Sequence, residues 1–137
     1  MSDNAASFVP LDGQPVIVTD QGFAPEDYSG EILDLAPDAD LADILAELPK
    51  AGLIRVAFPG FADGRGFTIA RRLRLAGYTG RLRAAGHVIA DQYAMTRRSG
   101  FDEVEISADL ARRQPWEQWQ ARADWQGGYL PRLGWRA

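Results

Sequence analysis

Four short strand-like runs recur along the chain, at Glu31–Leu35, Leu53–Phe58, Arg81–Val88 and Glu103–Ile106, with helical patterns between them. Their starts are about 22–28 residues apart, enough for a strand, a helix and the turns that join them. No other feature of the sequence constrains the fold as strongly. Strand, crossover helix and parallel strand is the usual way to satisfy such a recurrence. The expected fold is therefore α/β: repeated βα units with a mostly parallel sheet covered by helices, either an open sheet or part of a barrel. In both arrangements ligands gather at the C-terminal ends of the strands.

The segments between these runs have their own signals. VIVT (Val16–Thr19) is β-branched and reads as a strand, and polar Gln21–Gly30 reads as a loop. Leu41, Ile44, Leu45 and Leu48 fall on one helical face, with Asp38 or Asp40 as the cap and Pro49 and Gly52 as the end. LIRVAF (Leu53–Phe58) is apolar apart from Arg55, which predicts a strand covered on both faces. Ile69, Ala70, Leu73 and Ala76 stripe the next helix, which Gly77 should stop. A helix from about Ile89 to Arg98 should close at Gly100, and a last one should run from Asp109 to about Arg122. One domain of 137 residues is expected: a strand and loop over 1–30, a βα core over 31–107, and a helix with a tryptophan-rich tail over 108–137.

Composition removes several classes of function. The absence of cysteine excludes disulfides, a cysteine nucleophile and a cysteine-held iron–sulfur cluster. The single histidine, His87, excludes a multi-histidine metal site, so neither metal nor cofactor is expected. No stretch approaches the roughly 18 apolar residues of a membrane span. The N-terminus has no basic segment followed by an apolar run, so a cytoplasmic location is expected. A net charge of −4 and the lack of an aromatic–basic motif argue against nucleic acid.

That charge is unevenly placed. Residues 1–50 hold 11 of the 19 acidic residues and only Lys50 among the basic ones, whereas all 14 arginines lie later. Such a split has two readings. The acidic part can pack against the basic part, or a basic face can meet an anion or an acidic partner.

The stretch FPGFADGRGFTIARRLR (Phe58–Arg74) carries the most chemistry. Gly64 and Gly66 would permit positive φ and close approach at a strand-to-helix corner. Thr68 would cap the helix and leave amides free, and Arg65 would add a fork of donors, which together make an anion site. The stretch is neither a Walker loop nor a dinucleotide fingerprint. The plainer reading is that Asp63 and the glycines only shape the turn, with Asp63 bonding its own backbone. A second rim loop holds His87, Asp91 and Gln92, and a His–Asp pair there would move protons. The catalytic candidates are Asp63, His87 and Asp91. The anion-binding set is Gly64, Arg65, Gly66, Thr68, Arg83 and Gln92. Trp116, Trp119, Trp125 and Trp135 cluster with Tyr129 near the C-terminus, as core or dimer packing or as a stacking surface.

FPGFADGRGFTIARRLR, GYTGRLRAAGHVIADQ and RRSGFDEVEI together resemble DUF934, a bacterial family of unknown function. The likeness covers about residues 31–107. The matching positions are Phe58, Asp63, Gly64, Arg65, Gly66, Ala70, Arg71, Leu73, Arg74, Arg83, Gly86, Asp91, Gln92 and Gly100. The sequence departs at Gly60, where lysine is common, at His87, where aspartate is usual, and at Ser99, where cysteine is frequent. The family is labelled with a part in sulfite reduction because it is often encoded beside sulfite reductase. The resemblance thus implies an accessory protein of assimilatory sulfite reduction, with the reductase or its electron donor as partner. A chain without cysteine is unsuited to be the redox centre itself. The alternatives are a small enzyme using the Asp63, Arg65, His87 and Asp91 rim on an anionic substrate, or a structural homodimeric module.

Overall fold

β1 (Val16–Thr19) reverses at Asp20–Gln21 and pairs antiparallel with β2 (Gly22–Ala24), so the stretch expected to be a loop contains a strand. Thr19 Oγ1 accepts the Gln21 amide at 3.1 Å, which fixes the turn. The other edge of β1 pairs antiparallel with β6 (Glu103–Ile106). β6 lies parallel to β5 (Arg81–Gly86), β5 to β4 (Leu53–Phe58), and β4 to β3 (Ile32–Leu35). The order is β2-β1-β6-β5-β4-β3, an open six-stranded sheet. It is mixed, not mostly parallel as expected, because the N-terminal hairpin adds two antiparallel strands that the spacing of the later runs does not announce. A computed structural model describes residues 8–126, so Tyr129 and Trp135 lie outside the described residues.

α1 (Ala42–Ala46) lies between β3 and β4, and α2 (Arg65–Leu75) between β4 and β5. A 3-10 turn at Ala90–Gln92 leads into α3 (Tyr93–Ser99), which precedes β6. The single C-terminal helix expected from Asp109 is two helices, α4 (Ala108–Arg113) and α5 (Trp116–Gln120). Pro115 divides them, since it lacks the N–H that would continue the ladder. Ser107, not Asp109, caps α4 by accepting the Leu110 amide at 3.1 Å. Asp40 Oδ1 accepts the Ala42 amide at the start of α1. Gly77 and Gly100 stop α2 and α3 as expected, and the Tyr78 amide reaches back to Leu73 O as in a Schellman turn.

The pairing register sorts strand residues onto two faces. One face presents Val16, Val18, Phe23, Leu35, Ile54, Val56, Leu82, Ala84, Val104 and Ile106, all buried. Against it pack Ile44 of α1, Ile69, Ala70 and Leu73 of α2, Tyr93 of α3, Leu110 of α4 and Trp119 of α5. Each large apolar side chain so buried contributes about 1.5–3 kcal/mol. The other face presents Asp34, Arg55, Ala57, Arg83, Ala85, Glu103 and Glu105. None of these belongs to the apolar cluster, whereas all five helices do. β3 to β6 follow one another across the sheet in one direction, and crossovers of a single hand then fall on one side. LIRVAF is therefore covered by helices on one face only, and Ala57 is exposed.

Residues 25–31 link β2 at one edge of the sheet to β3 at the other. They lie over the N-terminal half of the helix-free face, where Glu26 meets Arg83 and Asp27 meets Arg81. The Tyr28 ring sits 5.4 Å from the Arg81 guanidinium carbon. The C-terminal half of the face lies beyond this strap.

Candidate functional site

The DGRG corner follows β4 directly and is filled by its own residues. Asp63 Oδ1 accepts the Arg65 amide at 3.1 Å and Arg65 Nε at 3.0 Å, while Oδ2 accepts Nη2 at 2.7 Å. The Arg65 guanidinium holds the Asp63 carboxyl down at about 2. The Arg65 amide and guanidinium, expected to hold an external anion, thus hold Asp63. α2 begins at Arg65, so Thr68 lies within the helix and is not its cap. Neither Gly64 nor Gly66 has positive φ. Gly66 is small for another reason: a Cβ there would lie 2.5 Å from Phe58 Cζ, so its lack of a side chain seats α2 on β4.

The loop after β5 lies beside this corner, as the strand order requires. Gly86 takes φ of 121°, and a Cβ there would meet Phe58 O at 2.6 Å. The close approach lets His87 donate its amide to Phe58 O at 2.8 Å. Gln92 ties the two loops together rather than presenting itself to a ligand. Its Nε2 donates to Phe61 O at 2.7 Å and its Oε1 accepts the Ile89 amide at 3.0 Å. The exposed His87 ring packs edge-on to Phe61 at 5.1 Å. Asp91 pairs instead with Arg122 at 2.6 Å, so the expected His–Asp pair is replaced by two separate contacts.

Arg83 is placed apart from both loops. It projects from β5 onto the helix-free face and is fully buried. Glu26 accepts Nη1 and Nη2 at 2.6 and 2.7 Å, Glu103 accepts Nε at 2.8 Å, and Glu105 accepts Nη1 at 2.8 Å. An arginine enclosed by three carboxylates is saturated with its own anions, which corrects its place in the anion-binding set. Burial by itself opposes the charge, but the surrounding carboxylates outweigh it and push the Arg83 pKa up. Glu105 also accepts Arg55 Nη1 at 3.2 Å, and Asp34 takes Arg55 Nε and Nη2 at 2.6 and 3.0 Å. Arg81 joins Glu103 to Asp27. The result is a lattice of three arginines and five carboxylates across four neighbouring strands and the strap.

The family model described as a bacterial protein of unknown function, DUF934, matches residues 33–133. The chain belongs to DUF934. The match runs beyond the stretch of clear resemblance and takes in Trp116, Trp119 and Trp125. Comparison with curated proteins and with solved structures finds no match. Several positions that carry the DUF934 pattern hold the fold together: Gly66 seats α2, Gly86 joins β5 to β4, and Gln92 bridges the rim. Arg74 does the same, donating to Gly100 O, Tyr78 O, Gly80 O and Asp102 Oδ2 at 2.8–2.9 Å.

Sequence reasoning missed the Asp34–Arg55–Glu105–Arg83 lattice in this DUF934 chain. A signal was present in the Arg/Glu alternation of RLRAAG and EVEI, which puts like charges on one face of each strand. It also missed Asp20, which accepts Arg97 Nε and Nη2 at 3.1 and 3.0 Å, Trp125 Nε1 at 3.2 Å, and the Tyr93 hydroxyl. Among the described residues no helix is long and apolar enough to cross a membrane.

Proposed function

We propose that the protein is a non-catalytic accessory of assimilatory sulfite reduction, acting by binding a protein partner in the cytoplasm, the reductase or its electron donor, rather than by transforming a substrate. One observation carries the non-catalytic part. Asp63, Asp91 and Gln92, all expected to work at the rim, are engaged in separate structural pairs, with Arg65, Arg122 and Phe61 O. The pathway rests on the family resemblance alone.

Two experiments test the reading together. A deletion strain should grow poorly with sulfate as sole sulfur source, and the purified reductase or its electron donor should co-elute with the protein. Normal growth together with no association would remove the reading. An anion at Gly64–Thr68 is a lesser part of it, since the anion must displace Asp63. Asp63→Asn should then raise sulfate affinity and Arg65→Ala should abolish it. A self-associating module without a pathway partner is the remaining alternative, and sedimentation of the pure protein as a dimer in a strain that grows normally would favour it.

A further inference from the structure

We infer that the bare C-terminal half of the helix-free sheet face is a docking surface for an extended, arginine- or lysine-bearing segment of a partner protein. The inference rests on the accessory reading above and names the surface and the chemistry of its partner.

Parallel strands are ordinarily buried on both faces. Here β3 to β6 are parallel, yet among the described residues their second face is covered over its N-terminal half, by the strap at residues 25–31. Beyond the strap Ala57 and Gly86 are exposed, Ala85 is half-buried, and the Asp34 side chain is 62% exposed. A groove of about 340 Å³ runs over Arg55, Ala57 and Ala85 beside Asp34. A second, of about 480 Å³, is lined by Gly86, Glu105, Asp12 and Asp109 among others. The two adjoin, because Ala85 and Glu105 are register partners on neighbouring strands.

The floor suits a peptide backbone. Ala57, Ala85 and Gly86 leave no bulk above the sheet, so a chain laid across them approaches closely. Strands lie about 4.8 Å apart, so the path from β3 to β6 is about 14 Å, the reach of four or five extended residues.

The walls specify charge. Among the described residues, the ionised groups that line the two grooves are Asp12, Asp34, Glu105 and Asp109 against Arg55. Each acid already touches an arginine: Asp34 and Glu105 touch Arg55, Asp12 touches Arg112, and Asp109 touches Arg113. These contacts leave most of Asp12 and Asp109 in solvent, with side chains 90% and 72% exposed. The adjoining lattice, which shares Asp34, Glu105 and Arg55 with these walls, holds two more carboxylates than guanidiniums. The field over the floor is therefore negative, which steers and orients a cationic segment and repels an acidic one.

The test is fluorescence anisotropy on the full chain with a labelled hexapeptide of alternating arginine and serine, and with its glutamate counterpart. The arginine peptide should bind at least tenfold tighter, and the difference should shrink as salt is raised. Ala57→Tyr fills the floor without changing charge and should weaken binding at least tenfold. Ala46→Tyr, the same change on exposed α1, should leave it unaltered. Should Ala57→Tyr fail to fold, the smaller Ala57→Gln gives the same reading. Equal binding of the two peptides, or no loss in the position-57 variants, overturns the surface. A deletion strain that grows poorly while its protein ignores the arginine peptide overturns the surface and leaves the accessory reading. Groove-dependent binding in a strain that grows normally supports the surface and removes the pathway.

Discussion

Glu26 grips Arg83 through two bonds of 2.6 and 2.7 Å, although the two residues are 57 positions apart. One belongs to the acidic first part of the chain and the other to the arginine-rich remainder. Their pairing is repeated by Asp34 with Arg55, Asp27 with Arg81, Asp20 with Arg97 and Asp12 with Arg112. Five acids of the first part thus meet arginines of the remainder within the fold.

Removing Arg83 should be costly. Arg83→Leu strips Glu26 of its arginine and leaves Glu103 with Arg81 and Glu105 with Arg55 around a covered site that has lost its central charge, and breaking a buried pair costs about 3–5 kcal/mol. Glu26→Gln removes a carboxylate that is 31% exposed and keeps an acceptor, so it should cost no more than about 1–2 kcal/mol. Urea unfolding should rank the two variants in that order. Equal losses would mean that Arg83 is held mainly by packing.

The two glycines of the corner should behave differently. Gly66→Ala puts a methyl 2.5 Å from the Phe58 ring and should cost about 1–3 kcal/mol through overpacking. Gly64→Ala meets nothing nearer than Phe67 at 3.7 Å and has a φ of −95°, so it should be neutral or stabilise by up to about 1 kcal/mol. Thermal unfolding distinguishes them. A large loss in Gly64→Ala would restore a functional demand for glycine at that position.

Asp20 should prove a keystone of the helical side. Asp20→Ala strips Arg97, Tyr93 and Trp125 of a shared acceptor and should cost about 3 kcal/mol or more. Tyr93→Phe removes one donor and should cost about 1 kcal/mol. Arg97 also lies 4.6 Å over the Trp125 ring, so Arg97→Ala should red-shift tryptophan emission. An unchanged spectrum would place Trp125 elsewhere in solution.

Acid should weaken the fold from the ordinary carboxylate range downward. Arg83 lowers the Glu26 carboxyl and Arg55 lowers that of Asp34. Burial acts to raise Asp20, but bonds from Arg97 and Tyr93 outweigh it and the net shift is down. A lowered carboxyl lends stability that is complete above its unfolded value, here 3.8 or 4.5, and is lost as pH falls through the folded value. The Tm should be level from pH 7 to 5 and fall below about pH 4.5, less steeply in a Glu26→Gln, Asp34→Asn double variant. A parallel fall in that variant would assign the acid sensitivity to other groups.

Local signals in the sequence were sufficient for local structure. Leu53–Phe58 and Glu103–Ile106 form strands at the expected residues, and Ile69, Ala70 and Leu73 face the core from α2. The closeness of the two rim loops also followed from strand order. The anion set was less legible. Asp63 and Arg65 meet as an intimate pair, which the plainer reading of the turn allowed, but Arg83 lies under the strap and Thr68 within α2.

The sequence by itself determined most of the strands and helices, though not β2 or the break at Pro115, because period-2 and period-3.6 patterning, glycine stops and β-branching act within a few residues of one another. The tertiary structure alone decided that the first strand runs against β6, that the helices of the described residues lie on one face of the sheet, and that acids of one part pair with arginines of the other. Alternation shows that a strand has two faces, but which face is covered depends on where the crossovers go. A carboxylate does not carry the address of a guanidinium 57 positions away, and only folding brings the two within bonding distance.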